Sequence, residues 1–133
     1  MEQPEARFKR RLVEAFGAVH PKGWCAYLRA LGKDGVPDLR FVIPGMGGIW
    51  VEAKAEEKPY SPVQRLQMTN LRIAGDRVVG LRCRGLDERP LVRKIQVERP
   101  HADNAGLDLS VVFSWGAMQE LRFWNHLYAC GVP

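Results

Sequence analysis

Apolar positions recur along this chain with two different periods, and the switches between them mark its elements. Phe8, Leu12 and Phe16 stand at helical spacing, with Val13 and Ala15 widening the stripe, which predicts an amphipathic helix over residues 4–16 that opens at Pro4 and ends near Gly17. Arg7, Arg10, Arg11 and Glu14 fall on its outer face, where Arg10 and Glu14 can pair at i,i+4. Glu5 differs: three residues before Phe8 and seven before Leu12, it heads the apolar stripe. Residues 24–31, WCAYLRAL, then read as a strand, Gly32 to Gly35 as a turn, and Pro37 to Ile43 as a second strand. After the loop Pro44 to Gly48, Trp50 to Ala55 is a third strand, forming a hairpin with the second. Alternation puts Asp38, Arg40 and Val42 on one face and Leu39, Phe41 and Ile43 on the other. It likewise separates Trp50, Glu52 and Lys54 from Val51, Ala53 and Ala55.

The next helix carries the clearest start signal. Ser61-Pro62-Val63-Gln64 offers a Ser N-cap, Pro at the first helical position and Gln three residues after the cap, so a helix is predicted over residues 62–74 with Gly75 as its stop. Arg77 to Cys83 follows as a strand, making a right-handed βαβ-like crossover in a mixed sheet. Beyond it, Leu91 to Val97 and Leu107 to Phe113 read as strands separated by the loop HADNAG. A Ser114-capped helix runs on to about Tyr128, with Met118, Leu121, Asn125 and Tyr128 on one side. The expected fold is α/β: a mixed central β-sheet flanked by helices, with a C-terminal strand and helix extension over residues 85–133 of one domain spanning 1–133.

Composition narrows the partner class. At 133 residues and 46% hydrophobic, the chain is long enough for one core and short for two. A net charge of +5 and a pI of about 9.4 favour a polyanion, with nucleic acid the leading class; Arg7, Lys9, Arg10 and Arg11 cluster, as do Arg82 with Arg84 and Arg93 with Lys94. Cys25, Cys83 and Cys130 are odd in number and widely spaced, which implies neither a disulfide framework nor a zinc site. Charges fill the N-terminus where a signal peptide needs an apolar run, and no apolar stretch approaches a membrane span, so a cytoplasmic protein is expected. His20, His101 and His126 sit in unrelated segments and read as solvent-exposed or locally hydrogen-bonded, and Trp115, Phe123, Trp124 and Tyr128 of the last helix read as packed core or dimer contact.

Candidate chemistry lies in the hairpin. Asp38 opens one strand and Glu52 sits midway along its neighbour, so both carboxylates can converge at one end of the sheet. That suits a hard divalent cation, to which the Ala53 carbonyl could add a further oxygen. Lys54, on the face of Glu52, could steer or deprotonate an attacking water or hold charge at phosphorus. Taken singly, Asp38 after Pro37 is a turn acid, and Glu52 with Lys54 is a surface pair worth at most ~1 kcal/mol.

Their order is more specific. Gly35-Val36-Pro37-Asp38, then Trp50-Val51-Glu52-Ala53-Lys54, then Ser61-Pro62-Val63-Gln64 resemble the core of the PD-(D/E)XK nucleases, most closely the VRR-NUC type, over roughly residues 4–84. The resemblance implies metal ligation by Asp38 and Glu52, water handling by Lys54 and support from Gln64, whose capping role also accounts for it. It further implies an acid on the first helix near the metal, a role that Glu5 fits better than Glu14, although a first-turn acid also suits the helix dipole. The expected activity is Mg²⁺- or Mn²⁺-dependent hydrolysis of DNA, leaving a 5′-phosphate and a 3′-hydroxyl, with branched DNA as a substrate and a homodimer as an assembly. Arg7, Arg10 and Arg11 would hold the nucleic-acid backbone. The competing reading is a non-catalytic nucleic-acid-binding protein on the same fold.

Overall fold

The alternation of residues 39 to 55 becomes the middle of a sheet. In the computed structural model, which describes residues 2–28, 35–85, 94–100 and 109–130, the chain runs α1 (Pro4–Val19), β1 (Trp24–Tyr27), β2 (Leu39–Ile43), β3 (Gly47–Ala55), α2 (Pro62–Ile73), β4 (Val78–Arg84), β5 (Lys94–Glu98), β6 (Leu109–Ser114) and α3 (Ala117–Cys130). Among these residues the six strands form one sheet in sequence order. All neighbours are antiparallel except β3 and β4, which pair in parallel because α2 carries the chain back between them. The protein is thus α/β, with a mixed sheet flanked by helices, as its patterning predicts.

Leu39, Phe41 and Ile43 of β2 and Val51 and Ala53 of β3 are buried on one face, where α1 and α3 pack with Phe8, Leu12, Phe16, Phe123 and Trp124. Phe16, Phe41 and Trp124 meet with ring centroids 4.8 to 5.1 Å apart, so one aromatic cluster ties α1 and α3 to the hairpin. The last helix is therefore central to the core. Its buried face is Phe123, Trp124, Leu127 and Cys130, so Phe123 and Trp124 are core as expected, with Trp115 and Tyr128 partly buried against that core; of the predicted side, Leu121 and Asn125 are exposed. Ser114 ends β6 and α3 starts three residues later. The β2–β3 turn is shorter than expected, since Gly47 and Gly48 already pair with Ile43 and Val42. The predicted turn at Gly32 to Asp34, the start of the predicted strand at Leu91, and His101 lie outside the described residues.

Two features prepare the site. The β2 ladder ends at Leu39–Val51, whereas β3 continues to Ala55 against β4 alone, so the first turn of α1 has room to reach the end of β3. Gly35, at φ +83°, lies where a β-carbon would meet the Val63 backbone at 2.7 Å, which seats the Pro37-Asp38 segment against the start of α2. Among the described residues, no helix is long and apolar enough to cross a membrane.

Candidate metal and catalytic site

The β2–β3 ladder ends at Leu39–Val51, next to Asp38 and Glu52, so the charge of Asp38 acts on Glu52. Glu52 and Lys54 follow on the face turned away from the aromatic core, yet both side chains are only 3% exposed, which excludes the solvated surface pair. Lys54 Nζ stands 3.9 Å from Glu52 Oε1 and 3.9 Å from Glu5 Oε1, attracted to both carboxylates but beyond hydrogen-bond length from either. Burial, followed by the charge of Asp38, pushes the Glu52 carboxyl up to about 7. Burial also lowers Lys54 from the ordinary lysine value, against the opposing pull of Glu5 and Glu52.

Gln64 answers the question that its sequence position raises. Its amide oxygen accepts from the Ser61 backbone N–H at 2.9 Å while the Ser61 hydroxyl accepts from the Gln64 backbone N–H at 3.1 Å, completing the capping box. The same side chain donates through Nε2 to Glu52 Oε1 at 2.9 Å. The cap holds the amide so that its free end orients the buried carboxylate. Glu52 Oε2 and Glu5 Oε1 are buried with no hydrogen-bond partner. Carboxylate oxygens left in that condition are costly unless a cation or water meets them.

Lys9 is the residue that the sequence reading placed only in a basic cluster. It is buried, hydrogen-bonds Asp38 Oδ2, and lies 3.6 Å from Glu5 Oε2. Burial works against its ammonium, but the bond to Asp38 and the charges of Asp38 and Glu5 hold its pKa above the usual lysine value. A signal for it existed: Glu5 and Lys9 are one turn apart, so an inward Glu5 brings Lys9 inward too. Lys58 Nζ joins Glu5 Oε2 at 3.8 Å from the exposed side. Glu5, Lys9, Tyr27 and Lys58 border a cleft of about 670 Å³ between α1 and the turn after β3. Glu52 and Lys54 do not line it, so the cleft is an approach to the paired charges rather than their seat.

The predicted backbone-binding arginines fare unevenly. Arg10 is exposed, but Glu2 at 3.1 Å and Glu14 at 3.0 Å already engage it, and Arg7 and Arg11 are half-buried. Helix α1 therefore does not present three open arginines, and Glu2, placed before Pro4 where fraying is expected, folds back onto the helix instead. Ala53 has a β4 partner but no β2 partner, because the β2 ladder has already ended. His20 packs on Phe16 at 5.3 Å and His126 on Phe113 at 5.2 Å, both away from the site.

A second buried charge group lies one strand across the sheet. Arg82, beside Lys54 in the parallel register, bonds Glu98 through Nε at 3.0 and 3.2 Å and the carbonyls of Glu56 and Lys58 at 2.7 Å each. The Tyr60 hydroxyl donates to Glu98 at 2.7 Å, and its ring lies 5.7 Å from the Lys54 ammonium. Gly80 makes this possible, since a β-carbon there would stand 2.2 Å from the Tyr60 hydroxyl. No sequence pattern links Tyr60, Arg82 and Glu98; the β4–β5 register sets Glu98 opposite Gly80, two residues from Arg82, and the segment before α2 lays Tyr60 over Gly80.

The donor set suits a hard divalent ion in kind, being made of carboxylate and carbonyl oxygens with two buried carboxylate oxygens unpartnered. Among the described residues no three His, Cys, Asp or Glu gather closely enough to hold a metal by themselves. Mg²⁺ commonly takes one or two carboxylates and completes its shell with water and substrate phosphate, which the pair Asp38 and Glu52 can satisfy. No family model, curated protein or solved structure matches the chain.

Proposed function

We propose that this protein is a divalent-metal-dependent DNA endonuclease that hydrolyses phosphodiester bonds. The observation that carries the reading is Glu52: a buried carboxylate within reach of the Asp38 charge, fixed through one oxygen by Gln64, unpartnered through the other, and beside a buried lysine. Such a group is destabilising in the protein alone, and a cation relieves it. The basic composition and the order of motifs resembling the PD-(D/E)XK nucleases support the same reading.

When bound, Mg²⁺ or Mn²⁺ would supply Lewis acidity toward phosphate oxygen and acidify its own water. Asp38 and Glu52 would hold it, with the Ala53 carbonyl as a further oxygen donor. Gln64 fixes the orientation of Glu52. Lys54, its pKa lowered by burial, takes a proton from water at Nζ as the amine or holds charge on phosphate as the ammonium. Glu5 balances Lys54 and Lys9.

Asp38→Ala and Lys54→Ala are expected to reduce metal-dependent nicking of plasmid DNA by ~10²- to 10⁴-fold while leaving mobility-shift binding nearly intact. Unchanged nicking in either variant overturns the assignment. One observation favours a non-catalytic DNA-binding protein: the Lys9 ammonium pairs with Asp38 and offsets its charge. Calorimetry with Mn²⁺ separates the two, because absence of binding at millimolar concentration selects the second.

A further inference from the structure

Lys9 turns the Asp38 end of the site into a cation site filled by the chain's own cation. Its ammonium meets Asp38 from the segment before β2, Glu5 from α1 and the Tyr27 ring from β1, the last at 5.6 Å. The side chain is 9% exposed. At the other end Lys54 stands 3.9 Å from both its carboxylates, and Glu52 Oε2 has no partner. One end of the acidic pair is therefore engaged by a lysine at Asp38 Oδ2, and the other leaves a buried oxygen unpartnered.

A divalent ion on Asp38 competes with the Lys9 ammonium at Oδ2 and, even on the other oxygen, would repel that ammonium at close range. We propose that Lys9 is the resident counter-ion of the site, that Mg²⁺ or Mn²⁺ binds Asp38 only by displacing it, and that a substrate phosphate accepts the displaced ammonium. This rests on the metal-dependent reading above. Lys9 borders the cleft that also holds Glu5, Tyr27 and Lys58, so its flexible stem can turn the ammonium toward a phosphodiester there. Metal and substrate then assist each other's binding, and by linkage the assistance is mutual. Lys9 is on this view a positioning residue that sets metal affinity, distinct from Lys54, which serves the water.

The test is calorimetric titration of the full chain with Mn²⁺, with and without a short DNA duplex carrying phosphorothioate linkages that resist cleavage. Without DNA, Lys9→Met is expected to bind Mn²⁺ about tenfold more tightly than the unsubstituted protein, within the usual span of coupling between sites. Lys9→Arg, which keeps the charge, should stay near the unsubstituted value. DNA should tighten Mn²⁺ binding to the unsubstituted protein but leave Lys9→Met nearly unchanged. Lys9→Gln replaces Lys9→Met if circular dichroism shows the latter unfolded, and the effect of DNA on the unsubstituted protein requires no variant. Equal or weaker Mn²⁺ binding after loss of the lysine overturns the role of Lys9 and leaves the metal reading standing. Failure of DNA to tighten Mn²⁺ binding to the unsubstituted protein removes the phosphate step. If neither the unsubstituted protein nor the variant binds Mn²⁺ at millimolar concentration, both readings fall.

Discussion

Two buried charge groups share one face of this sheet, and they are built to opposite standards. Around Arg82 every strong contact is short: two bonds to Glu98, two to backbone carbonyls, and a tyrosine hydroxyl on the same carboxylate. Around Lys54 the ion pairs are 3.9 Å long, and two carboxylate oxygens find no hydrogen-bond partner. The first arrangement satisfies its own charges and holds the turn from Glu56 to Lys58 in place. That turn carries Glu56 at φ 54°, a left-handed conformation for which Arg82 and the Cys83 carbonyl provide support. The second leaves charge unmet at the strand end. A protein that fully satisfies one cluster and under-satisfies its neighbour separates a structural role from a binding one.

The sharpest way to break this contrast is to remove Arg82. Arg82→Ala leaves Glu98 buried without its guanidinium and should cost about 3–5 kcal/mol of stability in urea denaturation. A loss below ~1 kcal/mol would place the cluster among weak surface pairs.

Glu52→Gln tests the other cluster and carries a pH sign. The folded protein holds the Glu52 proton more tightly than the unfolded chain, so its carboxyl contributes no penalty below the unfolded value of 4.5 and the full penalty above about 7. Stability should therefore fall as pH rises through that window, by up to about 3 kcal/mol at ~1.4 kcal/mol per tenfold change in proton affinity. Glu52→Gln has no such proton to lose. It should be more stable than the unsubstituted protein at about pH 8 and close to it near about pH 4, where both forms are neutral. The same pH slope in both proteins would show that burial of Glu52 carries no such penalty.

Tyr60→Phe gives the smallest effect. It deletes one hydroxyl bond to a carboxylate that keeps Arg82, while the ring stays over Gly80 and Lys54, so about 1 kcal/mol is expected. A larger loss, with nicking reduced in proportion, would tie the Arg82 cluster to the positioning of Lys54.

Much of the scaffold was legible because it is written locally. The Ser61 to Gln64 capping box, the stop at Gly75 and the Phe8, Leu12, Phe16 stripe each depend on neighbours within a turn or two. The alternation that puts Asp38, Glu52 and Lys54 opposite the core face is equally local. Phe123 and Trp124 of α3 are core, as their aromatic character suggests, but Leu121, Phe123, Trp124, Leu127 and Tyr128 offer more than one apolar stripe, and Leu121 is left exposed. The packing of Phe16 and Phe41 against Trp124 selects among them. Lys9 was missed for a related reason. A lysine beside arginines looks solvated until Asp38, 29 residues away, claims it.

Periodicity and capping are short-range properties, so the order of residues alone was enough to lay out the hairpin, the crossover and the face that carries the acids. Burial, charge pairing and proton affinity are long-range. They arise where β2 stops and β3 runs on, letting Glu5 and Lys9 reach Asp38 and Lys54. The same residues in an extended chain would be separate, fully hydrated charges. Folding brings them into a poorly solvated notch where Coulomb interactions strengthen and unpaired oxygens become costly, and that environment distinguishes the Glu52–Lys54 pair from an ordinary charged strand end.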